Sequence, residues 1–470
     1  MLQDPNAELG SVTVYGLGWT GVAVANLAAR VGKRVIATDT RSPEALRGAL
    51  DGLASSQGLA LDPRVEIRHG AHQPHGSDAV LLTQSVKHFE VEHLDVPVVP
   101  EVEFAAAVLA QLGVPLLAVG GTDGKTTTVK LVHELCAAQR PTAVGGNSWP
   151  PLSHVVGELA NSCAAGTVLV AEISAFQLPP WSRFHPGVAA LTNIAEDHVE
   201  EYFQGCFDAY VEAKRAICRG LTASDFAVLN MDDPLVRALE PALAQRGVEV
   251  IGTSLSARAV AHLSSAAYRH NGELRVRFRG AESGVMAWDD VPLVGDHNAE
   301  NCLTALGSVL SLDLDMDGVR GTLKGFSAPH HRLEHVARVD GVDYYDDSKA
   351  TNVHASLAGL SAFGARPLVA IVGGVDKGLD LGGLAQSLAS RAHTVIVIGE
   401  LRARLLDEHR DVLGYAVEAD SLEDAVTIAR RAAREGDAVV LSPACSSFDM
   451  FRSYAHRGQV FQDLVRALGA

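Results

Sequence analysis

Twice in this 470-residue chain a short apolar run breaks into closely spaced glycines and resumes as a helical pattern. Such a strand–glycine-loop–helix unit belongs to sheets of parallel strands, because the crossover helix must return the chain to the same sheet edge. The rest of the chain agrees. Apolar or β-branched runs at Val12–Tyr15, Val35–Thr38, Ala79–Leu82, Leu116–Val119, Val168–Ala171, Val188–Leu191, Phe226–Leu229, Pro367–Val372, Thr394–Ile398 and Ala438–Leu441 alternate with longer helical patterns. Around Tyr268–Phe278 the pair Asn271-Gly272 divides two short runs and predicts a hairpin. At roughly 150 residues per domain the length suggests about three domains. Seams near Pro100 and Pro329 predict an α/β chain of three domains, 1–102, 103–327 and 328–470.

The first unit reads Gly16-Leu17-Gly18-Trp19-Thr20-Gly21, followed by a helical pattern, the run Val35–Thr38 and then Asp39. Glycines let the backbone approach a diphosphate, which the free N–H groups of the next helix stabilise, while an acid ending the second strand holds a ribose hydroxyl. A dinucleotide and a nucleotide-sugar fit this loop equally well. The second unit reads Gly120-Gly121-Thr122-Asp123-Gly124-Lys125-Thr126-Thr127. Its amides can cradle a triphosphate, Lys125 can reach the terminal phosphates and Thr126 can ligate Mg²⁺, which predicts ATP binding. The long form of this motif has a glycine where the chain has Val119, so a short G-x-x-G-K-T loop remains.

Composition sets limits. With 39 basic and 56 acidic side chains the chain carries a net charge of −17, so nucleic acid and anionic membrane are not expected partners. No run approaches the ~18 apolar residues of a membrane span, and MLQDPNAELG has no signal-peptide pattern. The six cysteines form no C-x-x-C pair, which fits reduced thiols in a cytoplasm.

Eleven strings, in one order along nearly the whole chain, resemble the Mur ligases. They are GLGWTG at 16–21, GTDGKTTT at 121–128, GGN at 145–147, EISAFQL at 172–178, NIAEDHVEEY at 193–202, AKR at 213–215, GDHNAEN at 295–301, HHR at 330–332, DDSKATN at 346–352, GGVDKG at 373–378 and SPACSSFDMFRSYAHRG at 442–458. The last two resemble the D-glutamate-adding type. The resemblance implies a Rossmann-like N-terminal domain that binds UDP, a central P-loop ATPase-type domain with a parallel sheet, and a Rossmann-like C-terminal domain that binds the amino acid. It implies a cytoplasmic, monomeric ligase for peptidoglycan precursors, adding D-glutamate to UDP-N-acetylmuramoyl-L-alanine through an acyl phosphate made with ATP.

The resemblance also implies roles. ATP would meet Gly121, Thr122, Asp123, Gly124, Lys125, Thr126 and Thr127, with Asn298 at the base and Arg332 and Asp347 at the ribose. Two Mg²⁺ ions would be held by Thr126, Glu172, His198 and a CO₂-derived carbamate on Lys214. Lys349 would lie near the phosphates or the amino-acid carboxylate. The uridine nucleotide would fall on Trp19, Thr20, Asp39, Thr40 and Arg41, and its muramoyl-alanine end on Asn147, Ser174 and Gln177. Thr351 and Lys377 would take one carboxylate of D-glutamate, and Ser447, Phe448 (by its backbone) and Tyr454 the other. Two segments depart from the family pattern. Asp123 stands where asparagine is usual, and Leu81-Leu82-Thr83-Gln84-Ser85-Val86-Lys87 replaces a Ser-Pro-Gly turn bordering the nucleotide diphosphate.

Overall fold

A computed structural model describes residues 9–196, 199–376, 378 and 380–469. The chain is mixed α/β, with three sheets in which parallel pairing dominates, and it divides into two compact units. The first unit comprises Met1–Val291 and Glu300–Gly325, the second Pro292–Ala299 and Phe326–Ala470. The second unit thus takes in the short segment that carries Asn298.

The first unit holds two sheets. One has the order Glu66–His69, Arg34–Asp39, Ser11–Tyr15, Ala79–Leu82, Val98–Pro100, every pair parallel. The strand order reverses beside Ser11–Tyr15, and the crevice at such a switch point opens beyond the carboxyl ends of the strands. Gly16 and Thr83 both lie there. The second sheet has nine strands. Leu116–Gly120 sits between Val188–Leu191 and Val168–Glu172, and all its residues are buried, as expected of a strand covered by helices on both faces. Next to the edge strand Ala281–Ala287, the hairpin Ser265–His270/Glu273–Phe278 turns at Asn271 and Gly272, both left-handed with φ of 51° and 76°. That conformation is why Asn-Gly marks a hairpin.

The second unit has a six-stranded sheet in which only Glu334–Val339 and Val342–Asp346 run antiparallel. Ala438–Leu441 lies between Val342–Asp346 and Leu368–Gly373. Its closing helix, Tyr454–Leu468, starts at Ser453, whose hydroxyl accepts the His456 N–H at 3.1 Å.

Candidate active site

In the first unit the phosphate-type loop follows Leu116–Gly120 and opens the helix Lys125–Ala137. Two glycines make its path possible. Gly121 has φ +138° and a Cβ there would lie 1.9 Å from Thr192 Oγ1; Gly124 has φ +80° and its Cβ would lie 2.1 Å from Asn301 Oδ1. The loop is pinned by the residues that follow Val188–Leu191. Thr122 N donates to Asn193 O (2.9 Å), Asp123 N to Asn193 Oδ1 (2.9 Å), and Thr192 Oγ1 to Asp123 O (2.7 Å). Lys125 folds back so that Nζ donates to Thr122 O at 2.7 Å, which uses one of its three protons. Thr127 is buried beneath the loop.

Glu172 ends the neighbouring strand and is only 1% exposed. Its Oε2 accepts from Thr126 Oγ1 at 2.9 Å; its Oε1 accepts from Ser148 Oγ at 2.7 Å and from Asn147 Nδ2 at 3.2 Å. All three donors are neutral. Hydrogen bonds to a charged group return roughly 1.5–3 kcal/mol each, against several kcal/mol for burying the ion. The oxygens gathered here, from Glu172, Thr126 and Ser148, are the ligand type that a hard divalent cation takes. Ser148 was not singled out by the sequence, and its place one residue after GGN was the available signal.

Lys214, on the helix Phe207–Arg215, is buried with Nζ donating to Gly121 O at 2.6 Å and lying 4.8 Å from the Tyr210 ring centre. The Tyr210 hydroxyl shares a 3.0 Å hydrogen bond with Thr122 Oγ1. Thus Lys125, Thr126, Asn147, Glu172 and Lys214 converge on one loop. His198 and Lys377 lie outside the described residues. Ser174, on the next turn, forms a capping box with Gln177, whose Oε1 accepts from Ser174 N at 2.9 Å, and its buried hydroxyl proton has no acceptor among the described residues.

At the first glycine loop Gly21 is obligatory. A Cβ there would stand 1.8 Å from the Gly16 carbonyl oxygen, which is backbone and cannot move aside. Asp39 does more locally than the ribose role predicts. Its Oδ2 accepts Leu17 N at 2.8 Å and an Arg41 guanidinium N–H at 2.7 Å, and its Oδ1 accepts Arg41 N and Nε at 3.0 and 2.7 Å. Burial works to raise its pKa, but these bonds win and hold the carboxyl well below the usual carboxylate range. Trp19 and Thr40 are exposed beside this loop and Thr20 is half-buried.

In the second unit Asp347 is buried, its Oδ1 accepting Leu333 N at 3.2 Å and its Oδ2 the Ser442 hydroxyl at 2.9 Å. Burial pushes this carboxyl up to about 7 despite both bonds. Arg332 stands between two left-handed non-glycine residues, His331 (φ 65°) and Leu333 (φ 46°). That strained turn is held by His331 Nδ1 against Asp346 Oδ2 at 2.6 Å, a bond that raises the His331 pKa, and by Lys349 N donating to His331 O at 3.0 Å. Gln462 Nε2 donates to both Glu334 Oε2 and Asp346 Oδ2 at 2.9 Å. The Lys349 ammonium lies 3.7 Å over the Tyr454 ring. Ser447 Oγ is buried and unpartnered, Phe448 is 74% exposed, and Thr351 N donates to Lys349 O at 2.8 Å. Asn298 Nδ2 donates to Val294 O at 2.8 Å.

Arg457, like Ser148, was missed by sequence reasoning. It is 1% exposed, and burial pulls its guanidinium down to about 10. It donates to Ser348 Oγ and O (2.9 Å each) and to Cys445 O (3.0 Å), tying the DDSKATN loop to the SPACSSF loop.

The family model described as Mur ligase middle domain matches residues 119–309, and that described as Mur ligase, glutamate ligase domain matches 331–445. A UDP-N-acetylmuramoylalanine--D-glutamate ligase from Geotalea uraniireducens is 37% identical, covering 97% of each chain. One from Pelotomaculum thermopropionicum is 34% identical over 100% of this chain and 99% of its own. Among solved structures, the UDP-N-acetylmuramoylalanyl-D-glutamyl-2,6-diaminopimelate--D-alanyl-D-alanyl ligase of Acinetobacter baumannii shares the fold with TM-score 0.59 at 14% identity, covering 93% of this chain and 90% of its own. A UDP-N-acetylmuramate-alanine ligase from Thermotoga maritima does so with TM-score 0.56 at 17% identity, covering 97% and 99%. Identity of this order over the whole length, on a chain whose glycine loops and buried glutamate fall at the carboxyl ends of parallel strands, makes the conclusion plain: this chain belongs to the Mur ligase family.

Proposed function

We propose that the chain is the ATP-dependent, ADP-forming ligase that joins D-glutamate to UDP-N-acetylmuramoyl-L-alanine in peptidoglycan precursor synthesis. The observation that carries the reading is the buried Glu172 carboxylate, shared by Thr126 of the phosphate loop and Asn147 of the neighbouring strand end. A carboxylate is a poor acyl donor because attack would have to expel oxide. An alanyl carboxylate oxygen therefore attacks the γ-phosphorus of ATP, and the bond from that phosphorus to the β,γ-bridging oxygen breaks to release ADP. The D-glutamate amine, having lost a proton, then adds to the acyl carbon. Phosphate leaves from the tetrahedral adduct with one oxygen that began in the carboxylate. Mg²⁺ at Thr126 and Glu172, completed by His198 and a carbamylated Lys214 and two ions in all, would supply charge neutralisation at the phosphates.

Residue roles follow the same reading. Gly121–Thr127 cradle the triphosphate and Lys125 reaches its end; Asn298, Arg332 and Asp347 take the nucleoside of ATP. Lys349 meets phosphate or the amino-acid carboxylate. Trp19, Thr20, Asp39, Thr40 and Arg41 take the uridine nucleotide, and Asn147, Ser174 and Gln177 its muramoyl-alanine. The buried Ser174 hydroxyl supports that, since its proton has no acceptor among the described residues and a ligand oxygen would complete it. The orphaned Ser447 hydroxyl supports a D-glutamate site with Thr351, Lys377, Phe448 and Tyr454. We assign three domains, 1–102 and 328–470 Rossmann-like and 103–327 of P-loop ATPase type, in a monomer working in the cytoplasm. Six unpaired cysteines agree with that compartment, and among the described residues no helix is long and apolar enough to cross a membrane.

Phosphate release across a panel of L- and D-amino acids tests the reading. Turnover should require ATP, the uridine nucleotide and D-glutamate together. Release with L-lysine or diaminopimelate in place of D-glutamate would assign the chain to another member of the family. ATP binding without turnover under any combination would contradict a ligase altogether.

A further inference from the structure

The turn after Ala79–Leu82 is where this chain leaves the family pattern, and it faces the first glycine loop. Val86 N donates to Thr83 O at 3.1 Å, closing the turn. Thr83 Oγ1 donates to Tyr15 O at 3.0 Å, so the 2.7 Å contact between the Thr83 and Ser85 hydroxyls is donated by Ser85. Both hydroxyl protons are thereby committed. Ser85 Oγ lies 3.2 Å from where a Gly16 Cβ would be, and it presents lone pairs rather than a proton to that crevice. Lone pairs repel a phosphate oxygen. These hydroxyls shape the glycine loop; they do not neutralise a diphosphate.

The cation must come from elsewhere. Arg41 is paired with Asp39 through two N–H bonds and brings almost no net charge. The helix Trp19–Arg30 has no acidic residue in its first turn, which leaves its amide end open to an anion but adds no full charge. Lys87 remains. Its ammonium lies 5.8 Å from the Phe89 ring centre and 5.7 Å from that of Tyr202, and among the described residues no carboxylate pairs with it. Tyr202 stacks on Phe176 at 4.1 Å, and Phe176 lies in the 174–177 turn between Ser174 and Gln177. The lysine thus leaves the turn facing Gly16 and ends against the wall read above as holding muramoyl-alanine. Its ring contacts are near the outer reach of ~6 Å for such attraction, so the hold is loose and the charge is uncancelled.

We propose that Lys87 supplies the positive charge that binds the diphosphate of the uridine nucleotide substrate, on a turn where the family pattern has none. The inference rests on the reading of that nucleotide at the first glycine loop. In the full-length enzyme, Lys87→Met should raise KM for UDP-N-acetylmuramoyl-L-alanine about tenfold or more, the scale of one charge-assisted hydrogen bond. KM for ATP and for D-glutamate and kcat should stay within about twofold. The dependence of nucleotide binding on salt should weaken, and Lys87→Arg should restore most of the affinity. Methionine keeps the stem against Phe89 and Tyr202, and an unchanged melting temperature would show that the fold is intact. An unchanged nucleotide KM in Lys87→Met overturns the inference. Gly21→Ala separates the two levels: if it raises the nucleotide KM while Lys87→Met does not, only Lys87 is wrong; if neither does, the nucleotide is not held at this loop and both readings fall.

Discussion

Lys214 is the residue whose proposed chemistry is least like its sequence. An ammonium buried against Gly121 O, in a site that must gather metal and triphosphate, competes with the metal for the same anions. A carbamate reverses that charge. Lys214→Ala should lose at least ~100-fold in turnover, as expected when one preorganised charged group is removed, and acetate or formate should recover part of it. Lys214→Arg should stay inactive, because a guanidinium is not carboxylated; full activity in that variant would refute the modification. Asp347 gives a pH signature. Its pKa is about 7 in the fold, above the ~3.9 of an unfolded chain. The folded state therefore holds the proton more tightly, and this group's contribution to stability falls as pH rises from about 4 to about 7. Melting temperature against pH should show that fall flattened in Asp347→Asn; parallel curves for the two proteins would contradict it. Legibility at this scale followed chemistry with a local string. Gly121–Thr126 could be read because phosphate cradling needs contiguous backbone. Arg457 could not, since its acceptors come from residues 348, 373 and 445.

Among the elements, the ten apolar runs read from the sequence are all strands, because a strand covered on both faces has to be apolar throughout. Strands without that signature were invisible. Glu66–His69 is exposed along its length, Thr142–Gly146 ends in two glycines, Val98–Pro100 and Ala416–Glu418 have three residues each, and the hairpin Glu334–Val339/Val342–Asp346 follows the seam near Pro329 with no unbroken apolar run. The phosphate loop gives an element-scale prediction. In Gly121→Ala the added methyl would meet Thr192 Oγ1 at 1.9 Å in a backbone region costing ~1–3 kcal/mol for any other residue. Loop and strand end cannot both keep their places. KM for ATP should rise tenfold or more with KM for the uridine nucleotide unchanged, measured by steady-state phosphate release. An equal rise in both would mean that the two glycine loops do not serve separate ligands.

For the whole molecule, a net charge of −17 is compatible with two anionic nucleotide substrates because individual cations stand at the loops. Lys87, Lys125 and Arg457 are single positive charges placed where loops meet, with glycines clearing the space. What the sheets share is position: Gly16, Glu172 and Ser447 each stand at or just beyond the carboxyl end of a parallel strand, where amide ends and open crevices coincide. Family membership was legible in eleven short strings, but the burial that makes Glu172 and Asp347 unusual was not, because the residues around them lie far off in sequence. The central claim is that ATP activates the alanyl carboxylate before the amine attacks. It is tested most directly by labelling both carboxylate oxygens of UDP-N-acetylmuramoyl-L-alanine with ¹⁸O and analysing the released phosphate by mass spectrometry. One ¹⁸O per phosphate, formed only when D-glutamate is present and in step with the amide product, is the predicted result. Phosphate free of ¹⁸O, with amide product formed, would contradict it.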